Sequence, residues 1–125
     1  TDAQRAVYRC GGENGLVVDF AHRVVRSGGN EVHLTPTEYD LLCELARNAG
    51  KVVVHRDLLQ RVWGPDYSGE NTYLRTFVRH LRRKLEPNPA QPRFLLNEPG
   101  VGYYVPLPDS DESIGLDSPK PKDEP

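Results

Sequence analysis

The sequence predicts an α+β domain in which a small N-terminal antiparallel sheet precedes three helices and a C-terminal β-hairpin. Three observations predict it. Short β-like segments separated by glycine turns fill residues 1–34. Helical periodicity then recurs three times between Thr35 and Leu85. Two apolar and aromatic segments follow, on either side of a Pro-Gly tip.

The strand candidates are Val7–Cys10, Leu16–Asp19, Arg23–Arg26 and Glu31–Leu34, with Gly11-Gly12 and Ser27-Gly28-Gly29-Asn30 as turns. Together they make a four-stranded antiparallel sheet. Thr35-Pro36-Thr37-Glu38 starts the first helix. Thr35 caps its first amides, Pro36 takes the first helical position and Glu38 completes a capping box. Leu41, Leu42, Leu45 and Ala49 recur at helical spacing, and Gly50 ends the run in a left-handed conformation. Val52–Val54 reads as a short connector. The second helix runs from about His55 to Trp63, with Leu58, Leu59 and Val62 on one face, and Gly64-Pro65 stops it. Trp63 reads as an amphipathic residue at the edge of the core. Pro65, Asp66, Tyr67, Ser68, Gly69 and Glu70 form a polar loop. The third helix runs from about Thr72 to Leu85 and cannot pass Pro87. Phe94–Leu96 and Val101–Val105 are the two strands of the hairpin, with Asn97–Gly100 as a four-residue tip.

The 125 residues fit one domain with tails: a tail or linker over 1–5, the domain over 6–105, and an acidic, Pro-rich, disordered tail over 106–125. Apolar runs such as Val52–Val54 are far too short to cross a bilayer, and no signal peptide is expected. A chain without any Met is expected to be a piece of a longer protein. Cys10 and Cys43 do not make a disulfide framework. Cys43 lies in an apolar helical pattern and reads as a buried reduced thiol, which fits a cytoplasmic setting.

The net charge of −2 is unevenly placed. Residues 106–125 carry six carboxylates against two lysines, so residues 1–105 carry +2. Arg75, Arg79, Arg82, Arg83 and Lys84 crowd into ten positions of the third helix. At about 100° per residue, Leu74, Phe77, Val78, Leu81 and Leu85 share one stripe. Thr72, Thr76, Arg79 and Arg83 lie opposite it, with Arg75, His80 and Arg82 on the flanks. A helix anchored on one greasy face thereby presents Arg, His and Thr outward. A major-groove reader needs this pattern, because the groove admits one helix and arginine neutralises phosphate or grips guanine with two hydrogen bonds. A helix before it and a hairpin after it give a winged helix-turn-helix.

Residues 34–105 resemble the DNA-binding effector domains of OmpR/PhoB-type response regulators. The resemblance is carried by Leu34-Thr35-Pro36-Thr37-Glu38-Tyr39-Asp40-Leu41-Leu42, Val62-Trp63-Gly64, Leu81-Arg82-Arg83-Lys84-Leu85 and Gly100-Val101-Gly102-Tyr103. Tyr73-Leu74-Arg75, Pro92-Arg93 and Asn97–Tyr103 are closest to the Kdp-type branch, which controls potassium-uptake genes. The resemblance implies a receiver domain in the full-length protein and pairing on direct-repeat half-sites of double-stranded DNA, with the isolated domain a monomer. It implies an RNA polymerase contact by the loop Pro65–Glu70. It also implies a phosphate contact by Arg79 and base-facing positions at Arg75 and His80. Thr72, Tyr73, Thr76, Arg82, Arg83, Asn97 and Tyr104 complete the expected DNA-binding set. Where many relatives carry a wing arginine, this chain has Pro99 and Tyr104; Arg93, at the hairpin base, is the candidate substitute.

No catalytic constellation is expected. His22, His33, His55 and His80 show no paired-ligand spacing with each other or with the cysteines, so neither a metal nor a cofactor is expected. A winged-helix module that binds protein is the alternative, and it would want exposed apolar anchors on the third helix. The acidic tail is either inert or a competitor with DNA for the basic helix.

Overall fold

The computed structural model describes residues 7–109. Four strands, β1 (Val7–Cys10), β2 (Leu16–Asp19), β3 (Val24–Ser27) and β4 (Asn30–Val32), form an antiparallel sheet in sequence order. The last two are displaced by about one residue from the expected segments. Ser27 pairs with Asn30 across Gly28-Gly29, so the two-residue turn sets the register. Arg23 sits at φ 54°, in the left-handed region, just before β3. Its guanidinium lies over the Tyr39 ring at 4.3 Å, a contact that offsets the backbone cost. Tyr8, Cys10, Leu16, Val18 and Val25 point to the inner face and are buried.

The first helix, α1 (Pro36–Arg47), begins as its sequence dictates. Thr35 Oγ1 accepts from the Glu38 amide at 3.3 Å, and the Glu38 carboxylate accepts from the Thr35 amide at 2.9 Å. Gly50 beyond it has φ 83°, as the stop signal requires. Leu41, Leu42, Cys43, Leu45 and Ala46 are buried between the sheet and the other helices. Cys10 and Cys43 are both free and buried, and burial pushes both thiols up.

The segment read as a connector is in part a strand. β5 (Val53–Val54) pairs antiparallel with β7 (Gly102–Tyr104), which also pairs with β6 (Leu96–Glu98). Two residues carry no period of their own, and their partner lies almost fifty positions away. Gly102 permits this pairing, because a Cβ there would stand 2.0 Å from the Val53 carbonyl oxygen. The hairpin also departs from expectation. Asn97 and Glu98 belong to β6, and the loop is Pro99–Val101. Phe94 and Leu95 are buried but outside the strand, because their amides are taken by the Glu86 carboxylate.

The remaining helices are α2 (His55–Val62) and α3 (Asn71–Leu85), their ends within one residue of the sequence reading. Leu58, Leu59, Leu74, Val78, Leu81 and Leu85 close a single core with α1 and the sheet. No helix among the described residues is long and apolar enough to cross a membrane.

The expected C-terminal tail lies mostly outside the described residues, as does the N-terminal one. Its first four residues, 106–109, are a correction to that expectation, since they return along β1. The Tyr8 hydroxyl donates to the Pro106 carbonyl at 2.7 Å, and the Asp109 amide donates to the Arg9 carbonyl at 2.8 Å. The Asp109 carboxylate accepts from the amides of Gly11 and Gly12 at 3.3 and 2.9 Å. Composition signals a tail, but hydrogen bonds to an otherwise open strand edge hold its beginning.

Candidate nucleic-acid interface

The inward stripe of α3 is where its spacing puts it. Leu74, Val78, Leu81 and Leu85 are at most 1% exposed, while Phe77 is half-buried at the edge of the stripe. Burying these side chains orients the helix, and each contributes on the order of 1.5–3 kcal/mol. Thr72, Arg75, Arg79 and Arg83 are exposed and Thr76 is half-buried. Among the described residues, Arg75, Arg79 and Arg83 make no hydrogen bond or ion pair, so their guanidinium groups are available on the surface.

The two flanks of the helix are different. On the hairpin side, Arg82 Nε and Nη2 both donate to the Leu95 carbonyl, at 3.0 and 2.9 Å. Arg82, expected to contact DNA, thereby also braces the approach to the hairpin. Glu86, just past the helix end, is buried. Its carboxylate accepts from the amides of Arg93, Phe94 and Leu95 at 2.7, 2.9 and 2.7 Å. The Ser27 hydroxyl donates to the Leu85 carbonyl and ties the same helix end to β3. Arg93 is held here through its amide, with its guanidinium carbon 5.6 Å from the centroid of the Phe94 ring. It stands at the α3 end of the hairpin approach, where its amide is tied to Glu86.

On the other flank, Tyr73, Phe77, His80 and Lys84 succeed one another at three- and four-residue steps. Tyr73 lies between Trp63 and Tyr67, with ring centroids 6.4 and 6.1 Å away, and Phe77 meets Trp63 edge-on at 5.2 Å. His80 packs edge-on against Phe77 at 5.8 Å, and its Nδ1 is 3.8 Å from a Glu38 oxygen. Lys84 Nζ donates to Glu38 Oε1 at 2.7 Å and to the His33 carbonyl at 3.3 Å. Burial pushes the Glu38 carboxyl up, but the hydrogen bonds from Lys84 and the Thr35 amide outweigh it and hold the group below its ordinary value. His80 and Tyr73, expected to face DNA, thus each have one side occupied by the protein itself.

The loop Pro65–Glu70 is closed by its own last residue. The Glu70 carboxylate accepts from the amides of Ser68 and Gly69 at 2.9 and 3.0 Å, and Pro65, Asp66, Ser68 and Gly69 are exposed. Tyr67 turns inward onto Tyr73, which couples the loop to the first turn of α3. In the wing, Asn97 is exposed and paired in register with Tyr103, which is buried; Tyr104 is half-buried. The tip presents Pro99 and a 44% exposed Val101. His55 joins the wing to α2, its amide donating to the Val101 carbonyl and its ring edge-on to Tyr103. Among the described residues, no group of three or more His, Cys, Asp or Glu side chains is placed to hold a metal ion.

Sequence reasoning missed Glu86 as an anchor and Glu38 as a partner for α3. A single acid closing a run of five cations was the available signal for the first. Nothing local signalled the second, whose capping-box role already explained its identity.

Residues 29–105 match the family described as "Transcriptional regulatory protein, C terminal". The chain belongs to this family. Within it, the chain is 51% identical over 88 residues to the KDP operon transcriptional regulatory protein KdpE of Escherichia coli (strain K12). That alignment covers 70% of this chain and 39% of the relative, so the chain spans about two fifths of the length of these curated relatives. The response regulator DrrB of Thermotoga maritima, described as an OmpR/PhoB homolog, superimposes with a TM-score of 0.71 at 31% identity. The match covers 81% of this chain and 44% of that one. The DNA-binding domain of Klebsiella pneumoniae RstA, solved in complex with the RstA box, superimposes with a TM-score of 0.69 at 29% identity. It covers 80% of this chain and 96% of that domain. The winged helix-turn-helix fold and the OmpR/PhoB resemblance read from the sequence are therefore those of the family, and the Kdp-like stretches agree with the identity to KdpE.

Proposed function

We propose that this transcriptional regulatory domain binds double-stranded DNA sequence-specifically through α3, as the effector part of a cytoplasmic two-component response regulator. The observation that carries the reading is the outward face of α3. Arg79 and Arg83 stand exposed opposite the inward stripe and Arg75 stands exposed on its flank, none with a protein partner among the described residues, while Leu74, Val78, Leu81 and Leu85 of the stripe are at most 1% exposed. Arg79 and Arg83 grip phosphates or bases. Arg75 and Thr76 read base edges, and Thr72 contacts the backbone at the first turn. Asn97 and Tyr104 approach from the wing. His80 and Tyr73 contribute from the flank that leans on α1 and the loop, and Arg82 acts by holding the hairpin in place.

In the whole protein a receiver domain precedes this one, and its pairing sets two copies on direct-repeat half-sites; the isolated domain is a monomer. The loop Pro65–Glu70 meets RNA polymerase. The likeness to KdpE supports potassium-uptake genes as the target. A protein-binding winged helix finds less support, because the outward face of α3 offers cations and threonines where it would need apolar anchors.

Selection of bound sites from a random duplex pool, followed by titration across a salt series, tests the reading. Neutralising about four to six phosphates gives a log–log salt slope of roughly −4 to −5 per domain. A salt-insensitive affinity, or a pool that yields no preferred site, overturns it.

A further inference from the structure

Glu38 is a buried carboxylate, 4% exposed, at the first turn of α1, and α3 reaches it with two basic side chains. The capping box needs only a hydrogen-bond acceptor at this position, and glutamine serves there as well as glutamate. The charge therefore has a separate consequence. It lies on Lys84, whose ammonium it holds at 2.7 Å, and His80 Nδ1 is 3.8 Å from its other oxygen. Lys84 is one turn beyond His80 on the same flank of α3, and its side chain is 36% exposed. A helix seated in the major groove has phosphate strands along both flanks, so an unpaired Lys84 would stand beside one of them.

We infer that Glu38 withholds Lys84 from the phosphate backbone and so limits the affinity of α3 for DNA of any sequence. The inference rests on the reading of α3 as the duplex-facing helix. Phosphate contacts carry no sequence information and raise specific and non-specific affinity alike. Holding one flank cation on an internal carboxylate leaves the outward arginines as the main source of attraction. It also fixes α3 against α1, because the same ion pair crosses between the two helices.

The substitution Glu38→Gln keeps the capping acceptor and removes the charge. Lys84 is then left with two neutral acceptors, the glutamine carbonyl oxygen and the His33 carbonyl, neither of which neutralises it. On a duplex without a selected site, at pH 7.5, the salt slope of Glu38→Gln is expected to be steeper than wild type by about 0.9. If the two binding lines meet at about 1 M salt, the variant binds roughly eightfold tighter at about 0.1 M. Adding Lys84→Met to Glu38→Gln is expected to return the slope to the wild-type value. A Glu38→Gln slope equal to or shallower than wild type overturns the inference, as does a double variant that keeps the gain. An independent measurement needs no substitution: the side-chain NMR signal of the Lys84 ammonium in the wild-type chain is expected to keep its position when duplex is added. A shift of that signal to a phosphate-bound position overturns the inference even if Glu38→Gln does not fold. A wild-type chain that binds neither the duplex without a selected site nor any duplex from the random pool removes the interface reading itself, and this inference falls with it.

Discussion

The cations of α3 fall into two groups that the helix itself does not distinguish. Arg75, Arg79 and Arg83 stand free on the surface among the described residues, whereas Arg82 is forked onto the Leu95 carbonyl and Lys84 is paired with Glu38. Arg82 and Arg83 are adjacent and chemically identical, yet one organises the hairpin and the other faces outward. A basic helix is thus not a uniform basic surface. What each cation can do is set by the carbonyl or carboxylate that another element brings within reach. The two buried glutamates make the same point. Glu38 meets a lysine, while Glu86 is surrounded by three backbone amides.

The largest expected effect breaks the Glu86 side of this comparison. Glu86→Leu leaves three amides without an acceptor, each worth about 1–3 kcal/mol when buried. A loss of roughly 3–5 kcal/mol in urea unfolding is expected, with the wing disordered first in hydrogen exchange. A loss below about 1 kcal/mol would show that water replaces the carboxylate easily.

Arg82 and Arg79 sharpen the comparison directly. Arg82→Ala is expected to cost about 1.5–3 kcal/mol of folding stability, the value of a hydrogen bond to a charged group. It should change the salt slope little. Arg79→Ala should do the reverse, leaving the melting temperature within a few degrees and reducing the salt slope by about 0.9 on every duplex tested. Equal effects of the two substitutions on stability and on slope would erase the distinction between them.

A smaller effect separates the cap from the charge at the start of α1. Thr35→Ala removes the hydroxyl acceptor and is expected to cost about 1 kcal/mol at all pH values where the chain is folded. The Glu38 charge acts only in its own range. Its carboxyl is held below the ordinary value, so its contribution is complete above the unfolded value of about 4.3 and disappears as pH falls through the lower folded value. Glu38→Gln is expected to flatten that acid limb of the stability curve. An acid limb of unchanged steepness would show that the fold does not hold the Glu38 carboxyl below its ordinary value.

Much of the fold was legible because its signals are local. The Thr35–Glu38 capping box, the stop at Gly50 and the stripe Leu74–Leu85 are each read within one or two helical turns, and each stands where its residues put it. The glycine turns fixed the first two strands and left the other two uncertain by a residue. The short elements were harder. Val53–Val54 has no period to display, and Phe94 and Leu95 look like strand residues until Glu86 takes their amides.

Of the candidate interface, the amino-acid sequence alone determined the α3 arginine and threonine face, because amphipathic spacing obliges a helix with one buried stripe to turn its opposite side outward. Tertiary structure decided which flank residues remain available. Arg82, His80, Tyr73 and Lys84 have their surroundings set by Leu95, Glu38, Trp63 and Tyr67, which come from other elements. Periodicity reports the direction of a side chain from its own helix axis. Whether that direction meets solvent or another chain segment depends on packing between residues distant in sequence, and no local pattern records it.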